Sequence, residues 1–576
     1  MTANFLPDSV IVKPKETASS SDIAALKAAM GVTDVTIAPL SKIQIWKTSS
    51  GNVAQLISNN INNPAIEYME PDYIITLPDV QTTSPTQQNL ATTTPPTTTP
   101  NDPHFPKLWG LHNTGQTEGK SDADIDALEA WNIIQPESPK IVVAVIDSGV
   151  DYTHPDLAGN MWTNPGEIAG DGIDNDNNGY IDDIHGWDFA SNDNDPMDEN
   201  EHGTHVAGTI AAIGNNDEGV IGVAWQKAHI MALKFMDASG SGSTSNAILA
   251  IDYATANGVK LSNNSWGGLL PIPSQALEDA IQTAGEQGAL FIAAAGNSSL
   301  NTDLLAAYPA SFPDPSIISV ASTDHNDKLS YFSNYGKKSV DLAAPGSEIY
   351  STLLGGTYGF LSGTSMASPH VTGAAALVWS QNPSWTAAQV KNRLLETPDP
   401  ITDIIARLIW KLDAGRLNIY RALGGSTSNV NSHLGQTQLR IASTLSPAAP
   451  ANLTETAKEE AGEDFLTGGP GADTLMLPFA QSSVSPKDPL TDFGSEKIDL
   501  VPQGGAAINA PSLFSHAANR TVRTLEKGVI PVFAEANGAL AGKQALEINS
   551  DPLRVAKAGW MADIYPGIYD AKQLGL

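Results

Sequence analysis

The stretch IVVAVIDSG, residues 141–149, decides the fold. Its apolar residues run without alternation into Asp147, Ser148 and Gly149. A strand with one wet face alternates polar and apolar side chains, so an unbroken run is the mark of a strand buried on both faces. Asp147 then falls at the carboxyl end of that strand, where α/β sheets hold ligands and reactive groups. Working outward, similar runs recur at HIMALKFM (229–236), ALFIAAAG (289–296) and SIISVAS (316–322). Between them, SNAILAIDYATANG (245–258) and PSQALEDAIQTAGEQG (273–288) carry helical spacing. Residues 104–424 are expected to be one α/β domain, a parallel sheet with helices on both faces.

At 576 residues the chain is too long for one core. Residues 1–75 read as a small α+β unit. SVIVK (9–13), KIQIWK (42–47) and IEYMEPDYI (66–74) have strand character. SDIAALKAAMG (21–31) places Ile23, Leu26 and Met30 on one helical face, with Ser21 as N-cap and Gly31 as stop. GNVAQLISNNI (51–61) gives a second helix, so a β-α-β-α-β order of ferredoxin-like type is predicted. The Thr/Pro-rich stretch 76–103 reads as an extended, solvent-exposed linker. Residues 425–458 form a second polar linker, 459–510 a β-rich segment, and 511–576 match no recognisable pattern.

The balance of 31 basic against 63 acidic residues gives a formal charge of −32. That argues against nucleic acid or an anionic membrane as partner, since both need a basic face, and favours divalent cations. With no cysteine, disulfides, Cys-ligated zinc and a Cys nucleophile are excluded. The start MTANFLPDSVIVKPK has no apolar core behind a basic stretch, so no secretory signal peptide is expected there. No apolar run approaches the roughly 18 residues of a membrane span.

Three segments of the large block carry reactive groups. VIDSG (145–149) supplies Asp147, HGTHVAGT (202–209) puts His202 where a helix begins, and GTSMASPHVTGAAALV (363–378) puts Ser365 just before a helix of small residues. A serine hydroxyl is a weak nucleophile until a base takes its proton. Histidine suits that task near neutral pH, and a buried carboxylate holds its tautomer and stabilises the imidazolium. Taken singly the segments have plainer readings: Asp-Ser-Gly as a turn, His202 and His205 as metal ligands, the Gly/Ser/Ala run as close helix packing. No His-Glu-x-x-His is present, and His205 and His370 read as structural, hydrogen-bonded residues.

Together DSG, HGTHVAGT and GTSMASPH resemble the motifs of subtilisin-like serine peptidases (subtilases), in the same chain order. The resemblance covers roughly residues 104–424. It implies that Asp147 orients, His202 is the general base and Ser365 the nucleophile. AAAGN (293–297) resembles the family's oxyanion motif and makes Asn297 the side-chain donor beside the Ser365 backbone N–H. SWGG (265–268) resembles its substrate-binding strand. On this basis Ser265, Trp266, Gly267, Ala294, Ala295 and Gly296 would contact substrate. The N-terminal unit resembles the inhibitory propeptide of these enzymes, ending at Tyr73-Ile74-Ile75 in the cleft; the alternative is a generic ferredoxin-like binding module. The expectation is a monomeric zymogen, cut within 76–103, that acts on polypeptides and is inhibited by its own propeptide. The competing reading is a non-catalytic, calcium-dependent extracellular binding protein on the same fold.

DGIDNDNNGYIDD (171–183) holds five aspartates, and residues 171–201 hold eleven acidic residues and no Lys or Arg. Asp174, Asp176, Asn178, the Tyr180 carbonyl and Asp182 fall at positions 1, 3, 5, 7 and 9 of an EF-hand-like loop, with Gly179 at the sixth. Position twelve is His185, so Asp183, Asp188 or water would complete the shell. Calcium is the expected cofactor because every ligand is a hard oxygen; the alternative is a solvated acidic loop. Asp156 and Asn216 match positions of a calcium site common in subtilases. In the tail, GGPGADTLM (468–476) fits the calcium-binding RTX nonapeptide, with Asp473 as ligand, and EEAGEDFLT (459–467) fits the same register; the alternative is a Gly-rich loop. Such tails accompany type I secretion, so an extracellular location reached through a C-terminal signal is expected.

Overall fold

The computed structural model describes residues 5–49, 51–78, 81–82, 99–269, 273–401 and 415–425, with the backbone of four short strands between 454 and 491. The chain divides into two units, Met1–Val430 and Asn431–Leu576.

The first unit begins with β1 (Phe5–Pro14), α1 (Ser20–Ala29), β2 (Val32–Ile37), β3 (Gln44–Thr48), α2 (Val53–Asn60) and β4 (Ile66–Thr76). Its antiparallel sheet has the order β2-β3-β1-β4. This is β-α-β-β-α-β, one strand more than the sequence predicted. The missed strand, β2, lies at the sheet edge with most of its side chains exposed, so Asp34 and its threonines erase the apolar alternation. Leu26 and Met30 are buried against Trp46 and Met69, as the helical spacing predicted. The cap of α1 is Ser19 rather than Ser21: its hydroxyl accepts the Asp22 amide at 3.1 Å.

The rest of the unit runs β5 (Gln81–Thr82), α3 (Ala127–Trp131), β6 (Ile141–Asp147), β7 (Gly186–Asp188), α4 (His202–Ala211), β8 (Ala228–Lys234), β9 (Ser241–Ser243), α5 (Thr244–Ala256), β10 (Leu261–Asn264), α6 (Gln275–Glu286), β11 (Leu290–Ala294), β12 (Ile317–Thr323), β13 (Leu342–Pro345), β14 (Ile349–Leu353), β15 (Thr357–Ser362), α7 (Thr364–Gln381), α8 (Ala387–Glu396) and α9 (Ile419–Ala422). Seven strands form the parallel sheet, in the order β13-β12-β11-β10-β6-β8-β7. Alternate residues of β6 serve opposite cores. Val143 and Val145 join the cluster of α4 and α7, while Ala144 and Ile146 join that of α5 and α6. Burial on both faces is why the run showed no alternation.

Central strand β10 (LSNN) escaped the sequence reading because it has a single apolar residue, although Asn263 and Asn264 are fully buried. The stretch read as a free linker is docked at both ends. Gln81–Thr82 pair antiparallel with Leu361–Ser362, and Asp102 is buried; residues 83–98 lie outside the described residues.

In the second unit β16 (Thr454–Thr456) pairs parallel with β18 (Thr474–Met476), and β17 (Leu466–Thr467) with β19 (Leu490–Thr491). Asp473, proposed as an RTX ligand, lies outside the described residues. Among the described residues no helix is long and apolar enough to cross a membrane.

Candidate active site

Adjacent strands β6, β10 and β11 deliver Asp147, the segment 265–268 and the segment 294–297 to one edge of the sheet, their carboxyl ends. Asp147 Oδ1 accepts from His202 Nδ1 at 2.7 Å and from the Ser148 amide at 2.8 Å. Both side chains are buried, and His202 Nε2 is left without a hydrogen-bond partner. Burial alone would pull the imidazole pKa down. The charge and hydrogen bond of Asp147, with smaller contributions from Asp198 and Glu201, outweigh it and hold the pKa above its ordinary value.

His202 opens α4, which packs beside α7. The close approach of α4 to β6 depends on Gly203: a Cβ there would lie 2.0 Å from the Gly149 carbonyl oxygen. Ser365 lies in the first turn of α7 rather than before it, and its backbone N–H is therefore among those with no intrahelical acceptor.

Pro369 sits inside α7 and lacks the N–H that would pair with the Ser365 carbonyl. The Ser265 hydroxyl takes that role, donating to the Ser365 carbonyl at 2.8 Å, while Ser365 Oγ donates to the Ser265 carbonyl at 3.0 Å. Asn263 binds the assembly together. Its Nδ2 donates to Ser265 Oγ at 2.9 Å, and its Oδ1 accepts from Ser368 and Thr372 at 3.1 and 2.8 Å. Asn297 Oδ1 accepts from the Thr364 amide and hydroxyl at 2.9 and 2.8 Å, which orients its NH₂ group beside Gly363 at the start of α7. Ser265–Gly268 follow the end of β10 rather than forming a strand, and Gly268 bridges Tyr308 through two 2.9 Å hydrogen bonds. Trp266 is fully buried, and Ala294, Ala295 and Gly296 continue from β11.

His205 and His370 stand apart from this chemistry. His205 Nε2 bonds the Ile349 carbonyl at 2.9 Å and His370 Nδ1 the Met366 carbonyl at 2.8 Å. Burial lowers their pKa values to about 3 and about 4, so both are neutral.

The N-terminal unit occupies the same edge. β4 pairs antiparallel with β9 (Ile74 with Ser243, Thr76 with Ser241), and the Leu77 amide donates to Gly240 at 2.9 Å. Asp72 accepts the Ser245 amide and hydroxyl at 2.9 and 2.7 Å, at the start of α5. Glu70 accepts the Ser274 hydroxyl and the Gln275 amide, the latter at 2.9 Å, at the start of α6. Carboxylates at helix N-termini satisfy exposed amides and oppose the helix dipole. In the other direction, Asp252 of α5 accepts the Leu40 and Ser41 amides at 2.8 and 3.0 Å.

The acidic loop departs from the EF-hand register. Glu167, Asp176 and Asp183 bring oxygens within 4.8 Å of one another, and Asp183 is fully buried. Asn178 Nδ2 donates to both Asp176 and Asp183. Asp174 accepts the Asn178 and Gly179 amides, with Gly179 at φ +98°. Tyr180 contributes a ring packed on Trp187 and Tyr253. Asp182 turns away, its two oxygens accepting the amides of Gly170, Asp171 and Gly172. Elsewhere Asp156 accepts from Asn216 Nδ2 and the Val220 amide, both at 2.8 Å. Asp102 is buried close enough that the Asp156 charge adds to the burial that raises its pKa.

Asn263, Asp102 and Glu167 were not singled out from the sequence. No motif marks them, and each is held by a partner that lies off its own segment: Glu167 by the Asn175 amide 8 positions on, Asn263 by Thr372 109 positions on and Asp102 by the Asn215 amide 113 positions on.

A buried Asp–His pair opening a helix that packs on a second helix with a serine in its first turn, on a parallel sheet, is the arrangement of a serine peptidase. The chain belongs to the subtilase family, whose model matches residues 138–435, just over half its length. A second family model, the fervidolysin N-terminal prodomain, matches residues 1–72. The thermophilic serine proteinase of Bacillus sp. (strain AK1) is 35% identical over 419 residues, covering 73% of this chain and 88% of its own. Thermitase of Thermoactinomyces vulgaris is 39% identical over 325 residues, 56% of this chain and 99% of its own. The crystal structure of fervidolysin from Fervidobacterium pennivorans, described as a keratinolytic enzyme related to subtilisin, superposes with a TM-score of 0.58 at 25% identity. That match covers 74% of this chain and 62% of fervidolysin. The protein is thus a subtilisin-like serine peptidase that carries a prodomain.

Proposed function

We propose that the protein is a calcium-stabilised endopeptidase, made as a zymogen, that cleaves polypeptides through an acyl-enzyme. The observation that carries the chemistry is the buried Asp147–His202 pair, with Nε2 unpaired and with its helix α4 packed on α7. His202 Nε2 takes the Ser365 proton as Oγ attacks the scissile carbonyl, and returns it to the leaving amine. The Asn297 NH₂ group and the Ser365 N–H receive the oxyanion. Water then hydrolyses the ester by the same route. A fluorophosphonate is expected to label Ser365 after prodomain removal; absence of the adduct on cleaved protein would favour a non-catalytic binding role.

The zymogen reading rests on the β4–β9 pairing, which occupies the edge an extended substrate would use. One anchor of the N-terminal region ends at Leu77, and the next, Gln81–Thr82, pairs three residues ahead of Ser365. Maturation is therefore expected within 77–81, narrower than 76–103. N-terminal sequencing of active protein should begin at residues 78–81; a start at residue 1 would end this reading.

Three oxygen donors, one fully buried, in a run without Lys or Arg suit a hard divalent cation. Glu167, Asp176 and Asp183 would hold calcium in the loop, and Asp102, Asp156 and Asn216 a second ion. Bound calcium would neutralise these carboxylates. Saturation at a hundredfold over Kd contributes about 2.7 kcal/mol. Chelation should lower the melting temperature by on the order of 5 °C. Glu167→Gln with Asp176→Asn should reproduce part of the shift and lose part of the response to chelator. A melting curve indifferent to both would show a solvated loop.

A further inference from the structure

We propose that Asp198 is a positioning residue for His202, tying the first turn of α4 to the end of β6. The proposal rests on His202 acting as the base.

Asp198 is buried, and its carboxylate collects five donors. Oδ1 accepts from Ser148 Oγ at 2.9 Å, the Asn200 amide at 2.8 Å and the Glu201 amide at 3.2 Å. Oδ2 accepts from the Thr204 amide at 2.9 Å and Thr204 Oγ1 at 2.7 Å. Ser148 Oγ in turn accepts the Gly203 amide at 3.0 Å. The two residues that follow His202 are therefore held by Asp198 directly and through Ser148. Ser148 is also the residue whose amide shares Asp147 Oδ1 with His202.

Ordinarily the residue just before a helix supplies its cap. Here that residue is Glu201, at φ 84°, and its side chain makes no cap hydrogen bond. Asp198 replaces it from three positions earlier. Its own segment is pinned: the Val150 amide donates to Pro196 at 3.0 Å, and Lys234 Nζ donates to the Met197 carbonyl at 2.8 Å and to Glu199 at 3.0 Å. Lys234 is the β8 partner of Asp147 in the sheet register. The bonds thus close a ring from Asp147 through Ser148, Asp198 and α4 back to His202. A buried negative charge behind the imidazole also favours the imidazolium formed during catalysis. The charged and titratable groups facing His202 are Asp147 from β6, Asp198 and Glu201 from the approach to α4, and His205 one turn on.

The test is steady-state kinetics across pH on Asp198→Asn, prepared from the full chain and matured with a trace of wild-type enzyme if it fails to cut itself. An Asn turns an NH₂ group toward donors and removes the charge. Misplacing a catalytic group by about 1 Å costs about 10²-fold, so kcat should fall between 10- and 100-fold with KM little changed. The acid limb of the kcat/KM profile should move to lower pH. Asp198→Glu should restore the position of that limb, and Thr204→Val should lower kcat with the limb unmoved. An unchanged kcat and limb in Asp198→Asn, or a lowered melting temperature as its sole effect, overturns the proposal. If Asp198→Asn does not fold, an unchanged kcat in Thr204→Val does so. Failure of the wild-type enzyme to react with fluorophosphonate at Ser365 would instead overturn the catalytic reading beneath it.

Discussion

Ser365→Ala is expected to abolish proteolysis and leave the chain uncut at its N-terminal junction. The substitution removes the hydroxyl that would form the acyl bond and the 3.0 Å hydrogen bond to the Ser265 carbonyl. Ser265 can still donate to the carbonyl of residue 365, the bond that compensates for Pro369, so the first turn of α7 is retained. Folding should be little affected. The loss in kcat should be on the order of 10⁶-fold, a magnitude measured in subtilisin rather than derived from this geometry. Peptide hydrolysis and mass spectrometry of the purified chain check both halves. Normal maturation of the variant, with no other peptidase present, would show that another group performs the cleavage.

Asp147→Asn carries the second largest expected loss, about 10⁴-fold in kcat. Asp147 Oδ1 accepts from both His202 Nδ1 and the Ser148 amide, so an Asn side chain that kept these bonds would preserve the geometry without the charge. If instead its NH₂ faced Nδ1, the imidazole would hold its proton on Nε2 and could not act as base. The pH dependence follows from the sign of the shift. Asp147 holds the His202 pKa up, by charge and hydrogen bond, against the lowering effect of burial. A base works only when neutral, so activity rises as pH passes upward through that pKa. Removing the carboxylate lowers the pKa, and the acid limb should move to lower pH while the plateau falls. A limb that stays in place would show that Asp147 does not set the protonation of His202.

The prodomain shows how far local pattern reaches. Leu26 and Met30 were legible as a buried helical face because helix spacing is written in adjacent turns. Edge strand β2 was not, since one buried face at a sheet border asks for few apolar residues. Strand β10 failed for the opposite reason. Asn263 is fully buried at the sheet's centre, and its polar group is tolerable because Ser265, Ser368 and Thr372 satisfy it. Ser368 and Thr372 come from α7, about a hundred residues on, and no local window contains them.

Asp147, His202, Asn297 and Ser365 each stand in a motif of their own, and the parallel sheet was readable because a strand covered on both faces must be apolar throughout. The acidic loop was readable as a charge imbalance. Which of its carboxylates meet was not readable: folding spends Asp182 on three loop amides and brings Glu167 beside Asp176 and Asp183. In the same way Asp198 looked like one acid in a run of eleven until the structure placed it under α4. Residue type and spacing determined the reaction class, since they depend on chemistry within one segment. Which carboxylate caps a helix, gathers with others in a loop or backs a histidine depends on which distant donors reach it, and only the tertiary structure decides that.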